Sequence, residues 1–217
     1  MKKNQRKEKT VNNKKKENTM NIVFLLDRSG SMAGSESDTI GGYNSFLKEQ
    51  RNKKIKTKIT TVLFDDKYEL LHNQKNIDDV KELTEKEYYV RGCTALLDAV
   101  GITINNIEKT TNKEKVLFVI TTDGLENASR EYTKEKVKEL IKSHSDWEFL
   151  YIGANIDSYS EGSALGISKN NISNYKKGKE GTKCLFRSIG KASEMMISEE
   201  KLDNSWKEEL ENNFNNF

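Results

Sequence analysis

Four short apolar runs constrain this chain more than any other feature of its sequence: Asn21–Asp27 (NIVFLLD), Lys58–Phe64 (KITTVLF), Lys115–Thr122 (KVLFVITT) and Trp147–Gly153 (WEFLYIG). Each is rich in β-branched or aromatic residues and nearly continuous in hydrophobicity, with no polar alternation. A strand with that pattern is covered on both faces, which is the condition of a parallel sheet inside an α/β layer structure. Between the runs lie helix-length segments with apolar residues at three-to-four spacing. Thr39–Lys54 offers Ile40, Tyr43, Phe46 and Leu47; Ala95–Lys109 offers Leu96, Ala99, Val100, Thr103 and Ile107; Thr133–Ser143 offers Val137, Leu140 and Ile141. Strand and helix signals in alternation predict an α/β doubly wound, mostly parallel six-stranded sheet with helices on both faces. Tyr68–His72 follows its predecessor through a tight Asp65–Asp66–Lys67 turn, so it is expected as the one antiparallel edge strand. Weaker signals place a short helix at Asp157–Leu165, a last strand at Asn171–Tyr175 and a helix at Thr182–Ser198.

Composition excludes several classes. Lys and Arg (37) nearly cancel Asp and Glu (34), giving a net charge of +3 and an intermixed surface unlike that of a uniformly basic nucleic-acid binder. Residues 1–19 hold eight Lys/Arg against two Glu, a net +6, which leaves the remaining chain near −3. This stretch is expected to be a disordered basic tail; its alternative role is a polyanion-binding arm, and Met20 is an alternative start. The longest apolar runs hold five residues, against the roughly twenty that span a bilayer. No membrane partner is expected. The basic start is followed by IVFLL and then Asp27, too short for a secretory signal, and two cysteines, Cys93 and Cys184, are too few for a disulfide scaffold. Both readings point to the cytoplasm. The expected organisation is a tail over 1–19, one domain over 20–198, and a polar C-terminal tail over 199–217 with at most a frayed turn of helix.

The chemistry gathers where the strands end. The first run leaves the sheet as Asp27-Arg28-Ser29-Gly30-Ser31, the third as Asp123-Gly124, and Gly92-Cys93-Thr94-Ala95 sets a threonine at the start of a helix. In open α/β sheets, ligands occupy the crevice beyond the carboxyl ends of the strands. Asp27, Ser29, Ser31, Thr94 and Asp123 can all reach it: two carboxylates and three hydroxyls, a hard oxygen-only set that suits Mg²⁺, Mn²⁺ or Ca²⁺ and poorly suits Zn²⁺. The bland alternative is that these residues only cap helices and turns.

These residues, in this order and at strand ends, resemble a von Willebrand factor type A domain with a metal-ion-dependent adhesion site. The resemblance covers residues 20–198. GGYNSFL, TALLDAVG and TTDGLEN give it the flavour of the free-standing A domains of bacteria and their phages. The resemblance implies that the Ser29 and Ser31 hydroxyls ligate the metal directly. Thr94 would do so directly or through water, and Asp27 and Asp123 would hold coordinating waters. Neutral hydroxyls leave the cation under-neutralised, so an Asp or Glu of a protein partner completes the octahedron. The expected function is a metal-dependent adaptor without catalysis of its own; the resemblance also offers Thr182–Ser198 as a helix that could shift between affinity states, which the sequence leaves open.

The alternative is a metal-dependent hydrolase or phosphoryl-transfer enzyme at the same site. It lacks parts: a second acid two residues after Asp27, a Gly-x-x-x-x-Gly-Lys loop, and a candidate base His near Ser29 or Ser31. Among the other candidates, Cys93 is a redox-sensitive neighbour of Thr94 or a small packed residue. Cys184 is expected in the core, and His72 and His144 in surface or packing roles. Asp65 and Asp66 read as turn residues. Arg28 and Arg91 flank the cleft and could steer an acidic partner, while Glu126 and Asn127 trim its rim or cap a turn.

Overall fold

The computed structural model describes residues 19–216 except 54, 112–113 and 199. The basic tail over 1–19, with its polyanion-binding alternative, therefore lies outside the described residues but for Thr19. The chain runs β1 (Met20–Asp27), α1 (Glu36–Asn52), β2 (Thr57–Phe64), β3 (Tyr68–Asn76), α2 (Leu96–Glu108) and β4 (Lys115–Thr122). It continues as α3 (Lys134–Ser143), β5 (Glu148–Gly153), α4 (Ser158–Ala164), β6 (Ile172–Asn174), α5 (Lys179–Ile197) and α6 (Glu208–Asn215). The six strands form one sheet in the order β3-β2-β1-β4-β5-β6. All neighbours are parallel except β2 and β3, so β3 is the antiparallel edge that the Asp65–Lys67 turn predicts.

Alternation along β1 shows why its hydrophobic run has no polar side. Ile22, Phe24 and Leu26 face one apolar layer, with Tyr43, Phe46 and Leu47 of α1 and Leu185, Phe186 and Ile189 of α5. Val23 and Leu25 face the other, with Leu96, Val100 and Ile104 of α2 and Val137 and Ile141 of α3. Successive side chains of a strand point to opposite faces, so a strand sandwiched between two helical layers must be apolar throughout. At the centre of the first layer the Phe24 ring meets Tyr43 and Phe46 edge-on at centroid distances of 5.4 and 5.1 Å.

Two departures from the sequence reading have physical causes. β3 extends to Asn76, beyond the expected His72, because backbone pairing with β2 resumes after a register shift (Ile59 with Lys75, Lys58 with Asn76) although the apolar pattern has ended; Gln74 sits at the irregularity with φ +44°. The C-terminal stretch expected as a polar tail is packed structure. A short 3-10 turn at Asn204–Lys207 leads into α6, and Trp206 and Leu210 are fully buried in the α1/α5 layer. The Trp206 indole N–H donates to the Asn170 carbonyl at 2.9 Å, and the Lys207 ammonium donates to the carbonyls of Lys169 and Ile172 at 3.1 and 2.7 Å. One aromatic and two leucines among many polar residues suffice, because each lands on an open part of the core. Among the described residues, no helix is long and apolar enough to cross a membrane.

Candidate metal centre

β1 and β4 are neighbours at the centre of the sheet, and the chain leaves both at their carboxyl ends, at the point where strand order reverses. Adjacency places Asp27 beside Thr122, and the two loops that follow meet above them. The Asp27 carboxylate is fully buried; one oxygen accepts the Ser29 N–H at 2.7 Å, the other the Thr122 hydroxyl at 2.6 Å. Asp27 thereby turns the chain so that Ser29 and Ser31 face the crevice. Their hydroxyls lie 3.0 Å apart, and the Ser31 hydroxyl donates to Asp123 at 2.5 Å.

Thr94 arrives from the third loop and is held by its backbone. Its N–H donates to the Asn127 side-chain carbonyl at 2.9 Å, and its carbonyl accepts from the N–H groups of Asn127 and Ala128. Asn127 thus clamps Thr94, where the sequence left it between rim and cap. Glu126 does related work: it accepts from the backbone of Leu97 at the start of α2 and of Ala128 and Ser129 in its own loop. The loop after β4 is in this way tied to Thr94 and to the helix that follows it.

Convergence is measured most directly at Gly124. A Cβ there would lie 2.9 Å from Thr94 Oγ1, 3.0 Å from Ser31 Oγ and 3.7 Å from Ser29 Oγ. Three hydroxyls from two loops face one point on a third, at Gly124, that a methyl group would fill. The crevice around it, about 460 Å³, is lined by all four of Ser29, Ser31, Thr94 and Asp123, with Asn155 and Ile156 on the far wall. Only Asp27 of the five predicted residues stands behind this surface. Burial pushes its carboxyl above the usual carboxylate range, and the Asp123 charge adds a smaller push, against the hydrogen bonds from Thr122 and Ser29.

The donor set fits a hard dication. The three side-chain atoms nearest the point of convergence are all hydroxyl oxygens, and Asp123 adds a carboxylate beside them. A cation already stands against part of this set: the Lys177 ammonium forms an ion pair with Asp123 Oδ2, without hydrogen-bond alignment, and donates to the Ser31 carbonyl at 2.6 Å. Nothing in the local sequence singled out Lys177, which lies 146 residues from Ser31.

The remaining candidates fall elsewhere. Arg28 is fully buried and cannot steer a partner. Its guanidinium is spent on Asp65 at 3.0 Å, Glu69 at 2.6 Å and the Glu87 carbonyl at 3.2 Å. Arg91 also pairs with Asp65, at 2.6 Å, so Asp65 is the buried hub of an ion network as well as a turn residue. Cys93 is exposed at the crevice and Cys184 is buried on α5. His72 is buried on β3 and His144 packs against Trp147 at 4.2 Å; neither lines the crevice.

No family model and no curated protein matches the chain. Solved structures do match. One is proximal thread matrix protein 1 from the mussel byssus with a zinc-occupied MIDAS motif, at 18% identity and TM-score 0.54 over 82% of this chain and 45% of that one. Another is the PilB minor pilin from Streptococcus sanguinis, at 11% identity and TM-score 0.64 over 85% and 63%. A third is the von Willebrand factor type A protein from Catenulispora acidiphila, at 13% and TM-score 0.58 over 81% and 42%. The chain spans less than two thirds of each. At such identities the likeness is one of fold.

Proposed function

We propose that this chain, whose fold is that of the von Willebrand factor type A domains, is a divalent-cation-dependent protein-binding module that recognises an Asp or Glu of its partner. The observation that carries the reading is the convergence of the Ser29, Ser31 and Thr94 hydroxyls above Gly124, with Asp123 beside them and Asp27 behind. Ser29, Ser31 and Thr94 would hold the ion, and Asp123 and Asp27 would fix the hydroxyls and ordered waters around it. Mg²⁺ suits such a set because it keeps several waters and accepts neutral oxygens, with Mn²⁺ or Ca²⁺ as substitutes. The bound ion supplies a positive centre that the nearby carboxylates do not saturate, and a partner carboxylate is the ligand that best completes it.

The chain's own residues support binding more than turnover. Asp27 is fully buried and both its oxygens are engaged, so it has no access to a substrate as a nucleophile. Neither histidine lines the crevice to serve as a base. We propose a cytoplasmic location as well, which two unpaired cysteines, one of them exposed, support. Zinc in the MIDAS motif of the mussel protein supports a cation here without choosing which one.

The test is a pull-down from host lysate in Mg²⁺ and in EDTA, with the wild type and Asp27→Ala. Partners held only by the wild type in Mg²⁺ are the expected result. The same partners surviving both EDTA and the substitution would overturn the reading.

A further inference from the structure

Lys177 lies in the loop between β6 and α5, far in sequence from Ser31 and Asp123, yet its ammonium touches both at once. It is ion-paired to Asp123 Oδ2 and donates to the Ser31 carbonyl at 2.6 Å. The Asp123 side chain is 1% exposed and that of Lys177 25%, so the pair is shielded from solvent on the carboxylate side. Shielding matters because an exposed lysine pair contributes little, whereas withdrawing one partner of a shielded pair leaves the other charge uncompensated. The other Asp123 oxygen already accepts the Ser31 hydroxyl at 2.5 Å. With one oxygen bonded to Ser31 and the other facing the ammonium, Asp123 can orient a water around an incoming ion only in competition with Lys177.

We infer that Lys177 is a tethered cation that competes with the divalent ion for Asp123 and so sets the affinity of the site from within. The inference rests on the metal-binding reading above. A dication among the hydroxyls of Ser29, Ser31 and Thr94 needs the charge that the ammonium now neutralises, and it repels that ammonium. Loading the site therefore favours release of Lys177, and a retained Lys177 disfavours loading. By linkage the two effects are equal in size. The chain around Lys177 permits release: the next residue is Gly178 at φ +114°, a conformation other residues resist, and nothing lies within 4 Å of where its Cβ would be. Buried Tyr175, whose N–H donates to the Gly153 carbonyl, anchors the loop on its other side.

The experiment titrates the full chain with MgCl₂ and MnCl₂ by calorimetry, comparing the wild type with Lys177→Met, which keeps the stem and removes the charge. Tightening by about tenfold in Lys177→Met is expected, within the usual span of coupling between two ligands of one site. In parallel, a small amine-reactive reagent followed by mass spectrometry should label Lys177 faster in Mg²⁺ than in EDTA, with Lys48 as an exposed reference. Thermal melts in EDTA establish that the variant is folded. Equal or weaker metal binding by folded Lys177→Met, with the wild type still binding, overturns the competition and leaves the metal site standing. If neither protein binds a dication, both the competition and the metal reading fall.

Discussion

Gly124→Ala separates a metal centre from a set of turn residues. The added Cβ lands 2.9 Å from Thr94 Oγ1 and 3.0 Å from Ser31 Oγ, distances at which something must move by a few tenths of an ångström. The hydroxyls sit at the edge of an open crevice, so the fold can adjust; overpacking of this kind costs about 1–2 kcal/mol. An ion has less latitude. Mg²⁺ accepts oxygen ligands at about 2.0–2.1 Å in a near-ideal octahedron, and a methyl group in the middle of three donors prevents that geometry. We expect Mg²⁺ affinity to fall by at least about 100-fold, or about 2.7 kcal/mol, while the protein stays folded. Gly41→Ala is the control: it lies on α1 with nothing within 4 Å of its Cβ, so it should hold or raise stability and leave metal binding unchanged. Calorimetric titration with a thermal melt of each variant reads both quantities. Gly124→Ala with wild-type affinity would refute the reasoning, since the hydroxyls would then not be the donors.

Other expectations follow from the same structure. Thr122→Val removes the hydroxyl that donates to buried Asp27 at 2.6 Å, and should cost about 2 kcal/mol in denaturant melts, as loss of a hydrogen bond to a buried charged group does; no change would mean Asp27 is not held this way. Trp206→Ala should cost about 3–5 kcal/mol, whereas a frayed tail would lose almost nothing. Burial, with help from Lys75 and against the pull of Glu87, holds the His72 imidazole below its ordinary 6.5. The unfolded chain therefore takes up this proton first. Stability from this group is complete above the ordinary value, declines as pH falls below it, and levels off below the folded-state value. His72→Gln should flatten that part of the pH–stability curve, and an unchanged slope would show that another group titrates there.

The fold was legible because its signals are local and strong. Val116–Ile120 and Ile22–Leu26 read as doubly covered strands from composition alone, and that is their place at the centre of the sheet. The crevice was legible for a related reason: strand ends and a helix start announce where side chains gather, and Ser29, Ser31, Thr94 and Asp123 do line one crevice. What escaped is non-local. Lys177, Thr122 and the Asn127 clamp on Thr94 act through contacts that no spacing encodes. Arg28 was misplaced because an Arg beside a cleft residue is usually exposed; here the buried Asp65 draws it inward. Trp206 was missed because isolated apolar residues in a polar segment look the same whether they pack or fray.

The central claim is that one dication binds where the hydroxyls of Ser29, Ser31 and Thr94 converge. Anomalous scattering from crystals grown with Mn²⁺ tests it most directly. The account predicts a single strong peak within about 2.6 Å of Ser29 Oγ and Ser31 Oγ, the outer limit for an oxygen ligand of a hard dication, and its loss in Ser29→Ala/Ser31→Ala crystals. A peak elsewhere, or none at this point in a wild-type crystal that holds Mn²⁺ at other sites, would contradict it.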